Sequence, residues 1–430
     1  MTSAPEPATQ AQTGTLWAEL ASIVGAEHLR PAAPADAVDG VAAEKVVEPG
    51  NADEVSRVLR CANVARVSVI PRGGGTKLDW GNPPRRADLI LSTARLNRVL
   101  EHAWADMTAT LQAGCTVELF QKTLAEHGQR LALDPLWPGR ATIGGILATN
   151  DSGSLRVRFG ALRDLIIGIT LALPDGTLAR SGGKVVKNVA GYDLPKLATG
   201  SLGTLGVVTE AVFRLYPLPR ETRSVSFAAD TAQTLQKLVL AVQDSRLAFT
   251  GLQLRAQSAA PPQLDVRFEG IAAGIEAQLR QLVSLATGAT PVETPEDTWS
   301  AREALWRGSQ SALIGKFSVL PTGLGAACDL VARVAGPLGL AWKLVAQAVG
   351  LGLVRLEGQN EQALAEAATR LRGEIEQLRG SLVVLRCPPG AKARLDVWGS
   401  TGDALPLLRR VKQELDPAGI LNPGRFAGGV

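Results

Sequence analysis

The residues best placed to do chemistry in this chain are glycines and hydroxyls rather than acids and bases. Pro71-Arg72-Gly73-Gly74-Gly75-Thr76-Lys77 forms a first cluster, directly after an apolar run. Thr142-Ile143-Gly144-Gly145-Ile146-Leu147-Ala148-Thr149-Asn150-Asp151-Ser152-Gly153 forms a second. Gly200-Ser201-Leu202-Gly203-Thr204-Leu205-Gly206-Val207-Val208-Thr209 forms a third. Successive small residues let the backbone take positive φ and aim several N–H groups at one anion. Adjacent glycines also let a pyrophosphate or a ring come close to the main chain. One such cluster reads as a turn. Three at strand ends, with hydroxyls interleaved, point to a large diphosphate cofactor held without a Rossmann unit.

Other catalytic signatures are absent: there is no GxGxxG, no P-loop, no GxSxG and no HExxH. The histidines are His28, His102 and His127, and residues 128–430 contain none. A histidine triad or histidine-ligated metal in the middle of the chain is therefore excluded. No metal ligand set and no catalytic base is assigned.

The clusters need elements to carry them. Residues 1–40 read as a leader with one short helix at 16–23 and a Pro/Ala loop over 31–40. Asn51, with Glu54 three residues on, predicts a capped helix over 52–65 whose Val55, Val58, Leu59 and Ala62 share a face. Stretches 67–70, 89–91, 108–113, 166–173 and 206–215 read as strands, interrupted by one helix at 117–126. From 222 to 386 the expected order is strand, helix, two strands, helix, then strand, helix, two strands, helix, strand. That is a weak internal duplication of an α/β sandwich. Its clearest helix, 361–379, lines up Leu364, Ala368, Leu371, Ile375 and Leu378. A tail helix over 406–415 precedes Asp416-Pro417-Ala418-Gly419-Ile420-Leu421-Asn422-Pro423-Gly424-Arg425-Phe426.

Composition agrees with a globular, multi-domain chain. Its 430 residues suit two or three domains, and 46% apolar with 20% charged residues can fill sizeable cores. The 45 basic and 41 acidic residues are dispersed, which argues against nucleic-acid binding. Cys61, Cys115, Cys328 and Cys387 stand far apart without a CxxC, so neither a disulfide framework nor an iron–sulfur set is expected. A reducing, cytoplasmic setting follows as the simplest expectation. No Lys or Arg precedes Arg30, so a secretory signal is not expected. The longest apolar run, 165–174, is about half a membrane span, and no transmembrane segment is expected.

The stretches PRGGGTKLDWG (71–81), DPLWPGRATIGGILATNDSG (134–153), RFGALRDLIIGITLALPDG (158–176), KNVAGYDLPKLATGSLGTLGVVTE (187–210) and DPAGILNPGRF (416–426) resemble, in order, the vanillyl-alcohol-oxidase (PCMH-type) flavoprotein family. The resemblance covers about half the chain. Within that family the nearest likeness is to FAD-binding subunits of bacterial glycolate oxidases, on LDVWG (395–399), KQELDPAGILNPGRFAGG (412–429) and the histidine-free middle. It implies an α+β protein: a PCMH-type FAD-binding domain of two α/β subdomains over 41–220, an antiparallel-sheet-and-helix cap domain over 221–386, and a segment over 387–430 returning to the FAD domain.

The resemblance also assigns positions. Arg72, Gly73, Gly74, Gly75, Thr76 and Lys77 would wrap the FAD pyrophosphate, with Ile143, Gly144 and Gly145 opposite. Pro135, Ala148, Thr149 and Asn150 would lie near the isoalloxazine and ribityl chain. Val207 and Val208 would present backbone to the adenine, and Gly153 and Arg156 would help close the site. Pro71, Trp80, Thr142, Gly203 and Asn422 complete the cofactor set. Covalent members carry a histidine at the end of the first loop; here that place is Thr76, which implies non-covalent FAD.

The implied reaction is oxidation of a small 2-hydroxy acid such as glycolate, with hydride passing to flavin N5. Relatives that do this directly look to carry a metal-binding histidine cluster in the second module, and this chain departs from them there. Three readings stay open: an accessory subunit beside a sister FAD subunit and an iron–sulfur subunit, a self-contained oxidoreductase, or a scaffold keeping FAD for structure. Membrane association, at the inner face of the cytoplasmic membrane, would come only through partners. Arg255 and Lys316 are candidate carboxylate holders, and each also reads as an ordinary solvated or structural cation. Tyr192 is expected to pack near a loop of the cofactor domain. Trp80, Trp137 and Trp398 are candidates to border the flavin, or core residues. Lys184 and Lys187 read as a solvated face, and His102 and His127 as surface residues.

Overall fold

The computed structural model describes residues 10–184, 191–308 and 311–430. The leader 1–7 and Lys187 lie outside the described residues. Two compact units emerge: Met1–Ser152 with Ala161–Leu218 and Ser400–Val430, and Gly153–Gly160 with Pro219–Gly399.

In the first unit the helix Ala52–Val64 starts as its cap dictates. Asn51 Oδ1 accepts from the Glu54 N–H at 2.9 Å, and Glu54 reaches back to the Gly50 N–H at 2.7 Å. Its apolar face, Val55, Val58, Leu59 and Ala62, is fully buried in a core shared with Leu16 and Leu20 of the helix Gln10–Val24. Beside them a four-stranded sheet runs in the order Leu29–Pro31, Lys45–Val47, Leu89–Ser92, Val69–Arg72. Its last three strands are parallel, so Val69–Arg72 delivers the chain straight into the first glycine cluster.

A second sheet in this unit is antiparallel, in the order Val99–Ala103, Thr108–Gln112, Val207–Arg214, Ile166–Ala172, Leu178–Gly182. Phe120 and Leu124 of the helix Val117–Ala125 bury against Leu111 and Phe213 of this sheet. The sequence predicts one helix here, but the second glycine cluster is itself helical over Ile143–Thr149. Two low-propensity glycines hide it. What forms it is the Thr142 cap, whose Oγ1 accepts from Gly145 N–H, and the burial of Ile143, Ile146 and Leu147 on one side.

The second unit is one eight-stranded sheet. Glu221–Ala228, Phe249–Gln257, Ala260–Gly270 and Thr290–Val292 belong to its first half. Ala312–Ser318, Ala341–Gln347, Leu351–Glu357 and Ser381–Arg386 belong to its second. Counting strands one to four in each half, the sheet reads 4-1-3-2-2-3-1-4, so the duplication expected from the pattern is a palindrome in space. The halves join through antiparallel pairing of Leu254 with Ala346. Helices Ala232–Asp244, Ala272–Leu285, Leu324–Ala335 and Glu361–Gln377 share a core with alternate strand residues, among them Phe227, Phe268, Phe317 and Val354. In the last helix Leu364, Ala368, Leu371 and Ile375 are buried as the stripe predicts, and Leu378 packs against the same core.

The return to the first unit begins at Ser400 rather than at 387. Residues 387–399 stay behind because the Val384 N–H donates to Val397 C=O at 2.8 Å and Val397 enters the second core. Among the described residues no helix is long and apolar enough to cross a membrane.

Candidate cofactor site

The first unit brings all three glycine clusters and the tail to one cleft. Pro71, Gly73, Gly74, Gly75, Thr76, Lys77 and Leu78 form one wall, and Thr142, Gly145, Ala148 and Thr149 form a second. Leu202, Asn422 and Arg425 close it. The second wall follows helical spacing: Gly145, Ala148 and Thr149 share the cleft face, while Ile143 is buried and Gly144 packs on Ala113.

The glycines of the first cluster do something the sequence does not reveal. A Cβ on Gly73 would stand 2.0 Å from Thr142 Oγ1, and one on Gly74 would stand 1.7 Å from Arg140 C=O. Their missing side chains make room for the second cluster, and this close approach builds the cleft from two loops. Gly203, at φ +68°, sits in the same way between Pro71 and Asn422. Neither Leu202 (φ +51°) nor Asn422 (φ +44°) is glycine, yet both are left-handed. Asn422 Nδ2 donates to Leu202 C=O at 2.6 Å, which holds these two strained residues against each other at the cleft.

The electrostatics favour an anion. Lys77 and Arg425 are both buried, and the lining residues include no carboxylate. Lys77 Nζ lies 3.3 Å from Asp151 and over the rings of Trp80 (5.7 Å) and Trp137 (5.2 Å). Asp151 also accepts from the Leu136 N–H at 2.9 Å, which fixes the 134–137 segment containing buried Pro135. Arg425 donates to the carbonyls of Leu78 and Trp80 and to Asn422 Oδ1. Burial pushes Arg425 down to about 10, against the attraction of Asp39 and Asp79.

Several expected residues are not among those lining this cleft. The Arg72 guanidinium is turned to Asp36 at 2.6 Å, so what Arg72 brings to the loop is backbone, not charge. Val207 and Val208 begin an inner strand paired to Ala172 and Leu171, and their side chains enter two cores, so what they could offer a ligand is backbone, as the resemblance implies. Gly153 and Arg156 belong to the second unit, as does Trp398, which packs on that unit's core. Arg255 is committed to Asp265, at 2.6 and 2.8 Å, and to Gln263. Lys316 is half-buried in a strand whose Leu313 and Phe317 enter the second unit's core. Tyr192 is 90% exposed rather than packed. Lys184 pairs with Glu101. His102 and His127 are not isolated: their rings meet edge-on at 5.1 Å and His127 stacks on Trp104. Arg425, Leu78 and Leu202 were not anticipated. For Arg425 the signal was present, a cation inside a tail motif already read as returning to this domain.

These residues fit a dinucleotide with a diphosphate. The cleft offers glycine backbone, hydroxyls and two buried cations. Beside it the side-chain oxygen of Asn150 is buried and finds no hydrogen-bond partner among the described residues, which leaves an acceptor for a ligand N–H. When bound, FAD supplies a two-electron acceptor for hydride.

Residues 43–182 match the FAD binding domain family, and residues 399–426 match the C-terminal domain of FAD linked oxidases. Glycolate oxidase subunit GlcD of Bacillus subtilis is 37% identical over 46% of this chain, which spans 43% of that protein. The mitochondrial D-2-hydroxyglutarate dehydrogenase of Bos taurus is 30% identical over 88% of this chain and 76% of its own length. Among solved structures, p-cresol methylhydroxylase with substrate bound matches at a TM-score of 0.78 over 98% of both chains, at 15% identity, a likeness of fold. The chain belongs to the FAD-linked oxidases built on the PCMH-type FAD-binding fold, and FAD is its cofactor.

Proposed function

We propose that this chain is the FAD-binding subunit of a complex that oxidises a small 2-hydroxy acid, with glycolate to glyoxylate as the type reaction. Electrons would leave through an iron–sulfur partner, beside a sister FAD subunit. The cytoplasm, or the inner face of its membrane through those partners, is the setting this reading implies. The cleft that gathers Gly73–Gly75, Lys77, Thr149, Asn422 and Arg425 carries the flavin part of the reading. For non-covalent attachment the support is Thr76 at the loop position where a histidine would be needed. The second unit supports an accessory role: residues 128–430 hold no histidine, and Arg255 is neutralised by Asp265.

A second reading has its own support. The bovine D-2-hydroxyglutarate dehydrogenase matches along most of this chain, which favours a self-contained dehydrogenase acting on a related hydroxy acid. In that case the chain itself must align the substrate carbon and hold its carboxylate. Purified chain mixed anaerobically with glycolate or D-lactate separates the two. Bleaching of the flavin spectrum by the chain alone establishes the self-contained enzyme. A spectrum that stays yellow alone and bleaches once an iron–sulfur partner is co-purified establishes the subunit. A flavin that no substrate reduces in any complex leaves a structural cofactor.

A further inference from the structure

Leu202 of the third glycine cluster lines the cofactor cleft, whereas its neighbours Ser201 and Thr204 line a different groove within the same unit. Leu197 of the helix Leu194–Ala198, and Leu407, Leu408 and Val411 of the helix Leu405–Leu415, line it too, around a space of about 230 Å³. Hydroxyls give this groove no polarity. Thr199 Oγ1 donates to Pro195 C=O at 2.7 Å, Ser201 Oγ to Ala198 C=O at 2.8 Å and Thr204 Oγ1 to Ser201 C=O at 2.8 Å. Each is satisfied within its own turn, so the walls are apolar. They are also fixed in place. Lys412 Nζ, on the second helix, donates to Thr204 C=O at 2.7 Å and to Asp416 and Leu421 C=O beyond it.

The helix Leu405–Leu415 leaves the groove uncovered. Among the described residues it is the only helix of 11 or more residues with none of them buried. Leu408 and Val411 are half-buried, but Leu407 is 65% exposed. Helical spacing puts Asp403, one turn earlier, and Arg410, one turn later, on the same flank as Leu407. Both are exposed, and neither enters an ion pair among the described residues. An exposed leucine thus stands midway between an acid and a base.

We propose that this groove docks a second copy of the chain, about a two-fold axis beside Leu407. In a two-fold contact one patch must supply both knob and hole, and this one does. Leu407 is the exposed knob, and the groove beside it has room for a leucine side chain. Antiparallel helices crossing at Leu407 bring each Asp403 opposite the other copy's Arg410, because the two lie almost equally far from the axis. Charge is then complementary twice. An anionic lipid surface would instead meet the exposed Asp403 and Glu414 with like charge. One helix and one loop make a small interface, so the dissociation constant should be about 1 to 100 µM.

Sedimentation of the full-length chain from about 1 to 200 µM should show a monomer–dimer equilibrium. Leu407→Glu should weaken it by about 10-fold or more. Asp403→Arg and Arg410→Asp should each do the same, by setting like charges opposite each other twice. The double exchange should restore wild-type association to within about 3-fold. All three side chains are exposed, and recovery in the double exchange requires folded protein. A wild type that stays monomeric throughout overturns the proposal, as does a dimer that Leu407→Glu leaves intact. A dimer broken by Leu407→Glu but not restored by the charge exchange overturns the two-fold geometry, and the proposal with it. Monomeric wild type that floats with phosphatidylglycerol vesicles through Leu407 gives the groove to a lipid surface and overturns it too. So does monomeric wild type that holds a co-purified flavin or iron–sulfur subunit through Leu407.

Discussion

Both units bury cations, and those of the first include two that line a cleft. In the second unit Asp265, with no exposure, accepts from Arg255 Nε and Nη2, from Ser226 Oγ and from Gln253 Nε2. Arg355, 6% exposed, is spent on Glu357 and on the carbonyls of Leu305 and Arg307. Those charges close on themselves and specify a sheet. In the first unit Lys77 and Arg425 line an open cleft beside glycine backbone. Buried charges paired inside a sheet hold a fold, whereas buried cations that line a cleft, even one with a carboxylate beside it as Lys77 has in Asp151, prepare it for a ligand.

The sharpest way to break this contrast is to fill the space between the first two clusters. Gly74→Ala puts a methyl 1.7 Å from a backbone carbonyl that cannot swing away. It should cost about 3 kcal/mol and remove most of the flavin from purified protein, read as the ratio of visible to 280 nm absorbance. Full flavin content in that variant would mean the clusters need not touch to hold FAD. Asp265→Asn tests the other unit. Removing a fully buried carboxylate from Arg255 should also cost about 3 kcal/mol in urea unfolding. Folded protein should nonetheless keep its flavin, and loss of both together would erase the distinction drawn between the units.

How much of this was legible depended on whether the signal was local. The glycine clusters, the Asn51–Glu54 cap and the doubled strand–helix order are short-range patterns, and each is where the sequence puts it. The helix Ile143–Thr149 was hidden because its glycines argue against helix while its burial argues for it. The Leu202–Asn422 contact joins residues 220 apart in sequence, and nothing about a leucine announces a left-handed backbone. Arg72 misled for a third reason. A cation inside a glycine loop looks like a phosphate ligand until Asp36, far upstream, is known to claim it.

That claim gives a smaller, pH-dependent effect. Two bonds from the Arg30 guanidinium hold the Asp36 carboxyl well below the usual carboxylate range, helped by Arg72 and the Ala33 N–H and opposed by burial. A carboxyl depressed in the folded state adds stability that is fully present above its unfolded pKa, near 4, and is lost as pH falls through the folded value. Asp36→Asn should therefore cost about 2 kcal/mol at pH 7, with the gap to wild type narrowing below about pH 4. Urea midpoints across pH 7 to 3 check it, and a gap that stays constant would deny the ion pair.

The smallest expected effect is at Tyr192, which lies in a family-like stretch and is the most tempting side chain to give a role. Its ring is 90% exposed, and its backbone carbonyl, which also accepts from the Leu194 N–H, takes a bond from Ser181 Oγ. Tyr192→Ala removes neither a buried surface nor those bonds, so stability should move by less than about 0.5 kcal/mol and flavin content should not change. Thermal melts with and without added FAD read both quantities. A variant that melts normally without FAD yet loses its FAD-dependent gain would place the phenol on the bound cofactor, and with it a part of the site that burial gives no sign of.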